Sequence, residues 1–247
     1  MIKFEKFKLP NGLEVVFHQD KTSSLVCLNM LYKVGSKNED PDKTGFAHLF
    51  EHLMFGGSRH IPNFDTHLQA VGGDNNAFTN SDITNYYTTV PTNNIETSFW
   101  LESDRMLALS FEEEVLEREK RIVIEEFKQR YLNQPYGDVW LKLSPEAYQI
   151  HPYRWPTIGK NISHIEDINM QDVKRFFNTY YAPSNAILVI AGNVTLFEAQ
   201  RLCTKWFEPI ENHHANKRII PKEPKQIEGR HIDLKAQVPQ NAIYKAY

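Results

Sequence analysis

Three residues within one helical turn, His48, Glu51 and His52, are of types that could do hydrolytic chemistry together. At about 100° per residue, His52 lies about 40° from His48 around a helix axis, and Glu51 about 60° to its other side. All three side chains would share one face. Imidazoles one turn apart can grip a single cation, and zinc favours such nitrogen donors. Zinc in turn lowers the pKa of a bound water to about 7. A carboxylate beside that water can take its proton and pass it to a leaving amine, which is the role open to Glu51. The bland alternative is two surface histidines beside a solvated glutamate. The neighbours Phe46, Ala47, Leu49, Phe50, Leu53, Met54 and Phe55 are apolar, so the helix is expected to be buried on most sides. Buried imidazoles and carboxylates need partners, and a metal supplies them.

Two histidines leave zinc short of a third protein ligand. A long charged helix, expected from about Glu112 to Leu132, offers one. Val115, Glu119, Ile122 and Glu126 fall on one stripe of it, and two glutamates interrupt an otherwise apolar line. Glu126 is the expected third ligand. Glu119, two turns earlier and only about 20° displaced, is placed to orient a ligand histidine and joins Glu51 as a candidate catalytic residue. Glu125 points about 100° away from Glu126 and reads as solvated. Zinc at +2 would be offset by Glu126 and Glu51. Glu119 adds a further negative charge, which must share a proton or meet a cation.

The elements around these residues read as a mixture of strands and helices. A hairpin is expected from Phe4–Leu9 through the Pro10-Asn11-Gly12 turn to Leu13–Phe17. Leu25–Tyr32 alternates as a strand. Phe46–Phe55 is the metal helix, stopped by Gly56-Gly57. Residues 72–76 read as a turn leading into strands at 77–79 and 84–90. Helices are expected around Ile95–Leu109, Val139–Ala147, Asp172–Tyr180 and from the Thr195 cap to Trp206. Asn185–Ala191 is an apolar strand. Residues 212–230, with Pro221 and Pro224, read as a polar linker between a domain at 1–211 and the first strands of a truncated second domain at 231–247.

Bulk properties narrow the classes. The 247 residues are 41% hydrophobic and 24% charged with net charge -3, so neither nucleic acid nor a membrane is an expected partner. No apolar run reaches the length of a membrane span. Cys27 and Cys203 make no disulfide framework, and the N-terminus lacks the apolar core of a secretory signal. A cytoplasmic location is the expectation, or a periplasmic one if a signal has been removed.

Several segments together resemble the pitrilysin/insulinase family of inverted-motif zinc metallopeptidases, whose members include bacterial enzymes and the mitochondrial processing peptidase. They are His48-Leu49-Phe50-Glu51-His52, Gly72–Thr79, Leu101–Met106, the run Glu119–Glu126, His151-Pro152-Tyr153 and Tyr181–Ala186. The resemblance implies an α+β fold with a mixed, mainly antiparallel sheet covered by helices on one side. It implies zinc held by His48, His52 and Glu126, with Glu51 as the base. It also implies a substrate-edge strand at Asn76, Ala77 and Phe78, to which an extended peptide adds by main-chain hydrogen bonds. Family members pair two homologous halves around a chamber, so the implied partners are a peptide and a second half in the same or another chain. The main rival reading is a non-catalytic, structural or partner-binding subunit of the same family, and a second is a zinc enzyme of the same shape acting on a small molecule.

Overall fold

The computed structural model describes residues 2–213 and 219–246 of the chain. Six strands, β1 (Glu5–Lys8), β2 (Glu14–Gln19), β3 (Leu25–Tyr32), β4 (Asp74–Thr79), β5 (Thr84–Pro91) and β6 (Ala186–Gly192), form one open sheet in the order β1-β2-β6-β3-β5-β4. All neighbours are antiparallel except β2 and β6, which run parallel. The parallel pair requires a long crossover, and the helices between β5 and β6 supply it.

Alternation decides which side of the sheet is covered. Val26, Leu28, Met30 and Tyr32 of β3 are buried, and in register with them lie Leu188, Ile190, Tyr86 and Val90. The intervening residues Cys27, Asn29 and Leu31 are only half-buried. One face therefore lies under the helices and the other is more open, as a period of two predicts. The helices are α1 (Phe46–Leu53), α2 (Phe64–Ala70), α3 (Ile95–Leu107), α4 (Glu113–Phe127), α5 (Val139–Ala147), α6 (Ile162–Glu166), α7 (Met170–Tyr180) and α8 (Leu196–Trp206). The expected α+β class is the one observed.

The core fixes α1. Phe50 packs against Phe176, Phe177 and Tyr181, with ring centroids 5.3, 6.2 and 4.4 Å away. On the other flank, α1 packs against α4. Gly56 sits directly against the Val115 side chain of α4, where a Cβ would collide with it. That close approach is what brings the two helices within reach of a shared ion.

The structure departs from the expectations at several places. Phe64–Ala70 is a helix, capped by the Asn63 side chain accepting from Thr66 N–H at 2.9 Å. The expected turn at 72–76 is shorter, because β4 already begins at Asp74, paired with Thr89. The charged helix ends at Phe127 and continues as a wider π turn over Lys128–Leu132. Ile122, expected on an apolar stripe, is 45% exposed; the buried line of α4 is Leu116, Val123 and Phe127. The stripe through Glu119 and Glu126 lies beside that line, at the edge of the core.

The strands expected from His231 and Asn241 are not formed: residues 231–246 carry no helix or strand and are largely exposed. None of the six strands pairs with them, and the polar contacts of this end of the chain go elsewhere. Gln240 exchanges hydrogen bonds with the Tyr136 hydroxyl. Arg230 donates to the Glu146 carbonyl at 2.5 Å, and Glu223 accepts the N–H groups of Gln149, Ile150 and His151. Tyr247 and residues 214–218 of the expected linker lie outside the described residues.

Candidate metal centre

The N-terminus of α1 is held by a residue outside the helix. Gly45 is the N-cap, at φ 88°, and has no side chain with which to cap. Glu39, 1% exposed, takes that role from a distance. Its carboxylate accepts Gly45 N–H at 3.0 Å, Ala47 N–H at 2.8 Å and the Trp155 indole N–H at 3.1 Å. Burial lifts the Glu39 carboxyl to about 8, against the pull of these donors. The helix that bears His48, Glu51 and His52 is thus tied at its start by the buried Glu39 carboxyl, which the Trp155 indole also contacts.

His48 and His52 project from α1 with ring centroids 4.9 Å apart and planes at 81°. From α4, Glu126 Oε2 stands 3.6 Å from His48 Nε2 and 3.7 Å from His52 Nε2. These separations are too long for hydrogen bonds. They are close to the ~3.3 Å that separates ligand atoms around a tetrahedral zinc with bonds of ~2.0–2.1 Å. Among the described residues, His48, His52 and Glu126 form the group of three whose ligand atoms all lie within 4.8 Å of one another. The expected ligand trio is therefore brought together from two helices 74 residues apart. The donor set, two imidazoles and a carboxylate, suits zinc.

Electrostatics support each part. Burial, then the charges of His52 and Arg130, push His48 down to about 3, so its ring is neutral and keeps a lone pair for a cation. Its Nδ1 is buried with no hydrogen-bond partner among the described residues. His52 differs. Glu119 Oε2 lies 3.5 Å from its Nδ1. Burial opposes charge on His52, but the carboxylates of Glu119, Glu126 and Glu51 outweigh it and raise its pKa. Glu119 is held low, because His52 and Arg118 overcome the cost of burial. The cation that Glu119 needs is Arg118, whose Nε donates to Glu119 Oε1 at 2.9 Å.

Glu51 is half-buried on the same face, with its carboxyl raised by burial and pulled back by a hydrogen bond to the Thr79 side chain. Thr79 is the last residue of β4, the free edge of the sheet. Glu51 thus bridges the metal helix and the sheet edge. On β4, Asn76 and Phe78 point to the open face and are exposed, whereas Ala77 faces the helices. The Ala77 N–H donates to Asn76 Oδ1 at 2.8 Å. Glu125 pairs with Lys128 at 2.6 Å in solvent, away from the histidines. A cavity of ≈ 470 Å³ is lined by Phe55, Gly56, Val115 and Arg118 among others.

Sequence reasoning assigned no role to Glu39, Thr79, Arg118 or Arg130. The glycine-only N-cap before a helix of apolar and histidine residues was a signal that a distant cap was needed.

Comparisons with known proteins identify the class. Residues 14–161 match the family described as Insulinase (Peptidase family M16), and residues 167–247 match the Peptidase M16 inactive domain. The chain belongs to this family. It is 35% identical to the zinc protease PqqE of Helicobacter pylori over 91% of this chain and 51% of that protein. It is 25% identical to the mitochondrial-processing peptidase subunit beta of Caenorhabditis elegans over 92% of this chain and 50% of that one. The crystal structure of a protease from Helicobacter pylori superposes with a TM-score of 0.84 at 35% identity, covering 92% of this chain and 55% of that chain. The first half of the periplasmic protease PqqL from Escherichia coli shares the fold at a TM-score of 0.78 and 22% identity, over 89% of this chain and 49% of that one. The chain spans about half the length of these relatives.

Proposed function

We propose that this chain is the zinc-binding half of a peptidase that hydrolyses extended, unfolded peptides. The observation that carries the reading is the convergence of His48 Nε2, His52 Nε2 and Glu126 Oε2, with Glu51 reaching from the same helix to the edge strand. Zinc held there supplies carbonyl polarisation and a water acidified to near neutral pH. The protein's own residues do the rest. Glu51 takes the proton from the attacking water and delivers it to the departing nitrogen. Its burial-raised carboxyl suits a group that must both accept and return a proton. Glu119 steers His52.

A peptide strand adding to β4 brings its scissile bond past Thr79 and Glu51. Main-chain pairing reads backbone more than side chains, which favours unfolded substrates. An incoming strand competes with Asn76 Oδ1 for the Ala77 N–H. The second homologous half, in the same or a partner chain, completes the site. The division into a catalytic domain at 1–211, a linker at 212–230 and the start of that half beyond is part of this proposal.

The test is zinc-dependent cleavage of a quenched, unstructured peptide by the full-length protein or the assembled halves. Cleavage that is lost with a chelator and restored by zinc is the expected result. Stoichiometric zinc without cleavage, in the presence of the second half, would favour the partner-binding reading instead.

A further inference from the structure

Both carboxylates that face the histidine pair are gripped from behind by an arginine of the same helical run. Arg118 holds Glu119 Oε1, and Arg130 Nη2 holds Glu126 Oε1 at 2.9 Å. In each case the other oxygen, Oε2, is the one that faces the histidines.

The backbone explains how Arg130 reaches Glu126. Arg130 lies in the π turn that follows α4, closed by Asn133 N–H on the Lys128 carbonyl at 2.8 Å. In a regular α-helix the residue four positions on lies about 40° past the first. Such a residue is already a neighbour on the helix surface, and the wider turn, closed i to i+5, keeps Arg130 on the same side as Glu126. The Gln134 side chain donates to the Arg130 carbonyl and ties this turn down. The Arg130 side chain is 68% exposed and that of Glu126 21%, so the guanidinium covers the carboxylate from the solvent side. An ion pair so exposed contributes little to fold stability. What it does fix is which oxygen is free. The positive charge of Arg130 is also felt at His48 and Glu51.

We propose that Arg130 is a positioning residue for the metal: by occupying Oε1 it confines Glu126 to ligation through Oε2 alone. The inference rests on the zinc reading above. Without Arg130, Glu126 is free to offer both oxygens or to turn into solvent, and the trio loses its preorganisation.

Arg130→Met and Arg130→Lys in the 247-residue chain test it. Zinc affinity is measured by competition with a chromophoric chelator, and ligand number is read from the visible spectrum of the cobalt(II)-loaded chain. Arg130→Met is expected to bind zinc about tenfold or more weakly and to lose intensity in the cobalt bands as ligation through both oxygens sets in. Arg130→Lys is expected to recover part of the affinity. The unfolding midpoint of the metal-free chain should stay put in both, which separates positioning from a structural role. Unchanged affinity and an unchanged cobalt spectrum in Arg130→Met would overturn the proposal while leaving the zinc reading intact. A wild-type chain that takes up no zinc would overturn both. Should Arg130→Met fail to fold, Arg130→Gln at the same exposed position is read by the same two measurements.

Discussion

The Glu39 carboxylate accepts the Ala47 N–H at 2.8 Å from eight residues upstream, immediately before the first metal-facing histidine. Substituting Glu39→Ala leaves the N–H groups of Gly45 and Ala47 and the Trp155 indole without this acceptor in a buried place. The expected cost is about 1–3 kcal/mol in denaturant unfolding at unchanged m-value. Glu39→Gln keeps an acceptor oxygen and should cost less. An Ala variant as stable as the parent would show that the start of α1 does not depend on this cap.

Glu51 is expected to matter for turnover and not for metal. Glu51→Gln removes the proton acceptor and keeps the shape beside Thr79. In the full-length protein it should retain zinc and lose about 10²–10⁴ in kcat, the usual contribution of general acid–base catalysis. Peptide cleavage at the parental rate by this variant would take the base role away from Glu51.

Acid should expose a second carboxylate. Asp172, 4% exposed, is held below the usual carboxylate range. Burial would raise it, but Lys43 at 2.6 Å, the Asn169 N–H and Arg175 together outweigh burial. A depressed carboxyl gives stability that is complete above its unfolded value of 3.8 and fades as pH falls through the lower folded value. Asp172→Asn should therefore be less stable than the parent at pH 7, with the gap closing as the pH is taken below 3.8. Thermal melts across that range measure it, and a gap independent of pH would contradict the assignment.

The parts of this fold that rest on short-range periodicity were legible in the sequence. β3 lies at Leu25–Tyr32 as its alternation predicts, and α8 begins at the Thr195 cap. The spacing of His48, Glu51 and His52 places them on one face because nothing interrupts α1. Contacts across long separations were not legible. Arg118 meeting Glu119 depends on a rotamer, and Glu39 capping α1 depends on a loop path between them. Ile122 misled because the stripe it shares with Glu119 and Glu126 borders the core without entering it. The segment from His231 onward carries strand-like residues, but a strand needs a neighbour to pair with, and none of the six pairs with it.

The proposed function stands on α1 and α4 holding one zinc through His48, His52 and Glu126. Equilibrium dialysis of the chain against buffered zinc, with metal counted per chain, tests it most directly when run beside Glu126→Gln and Glu125→Gln. One zinc per parental chain is expected, with marked loss of retention in Glu126→Gln and parental binding in Glu125→Gln, whose carboxylate faces solvent with Lys128. No zinc on the parent, or retention that ignores Glu126 and falls with Glu125, would contradict it.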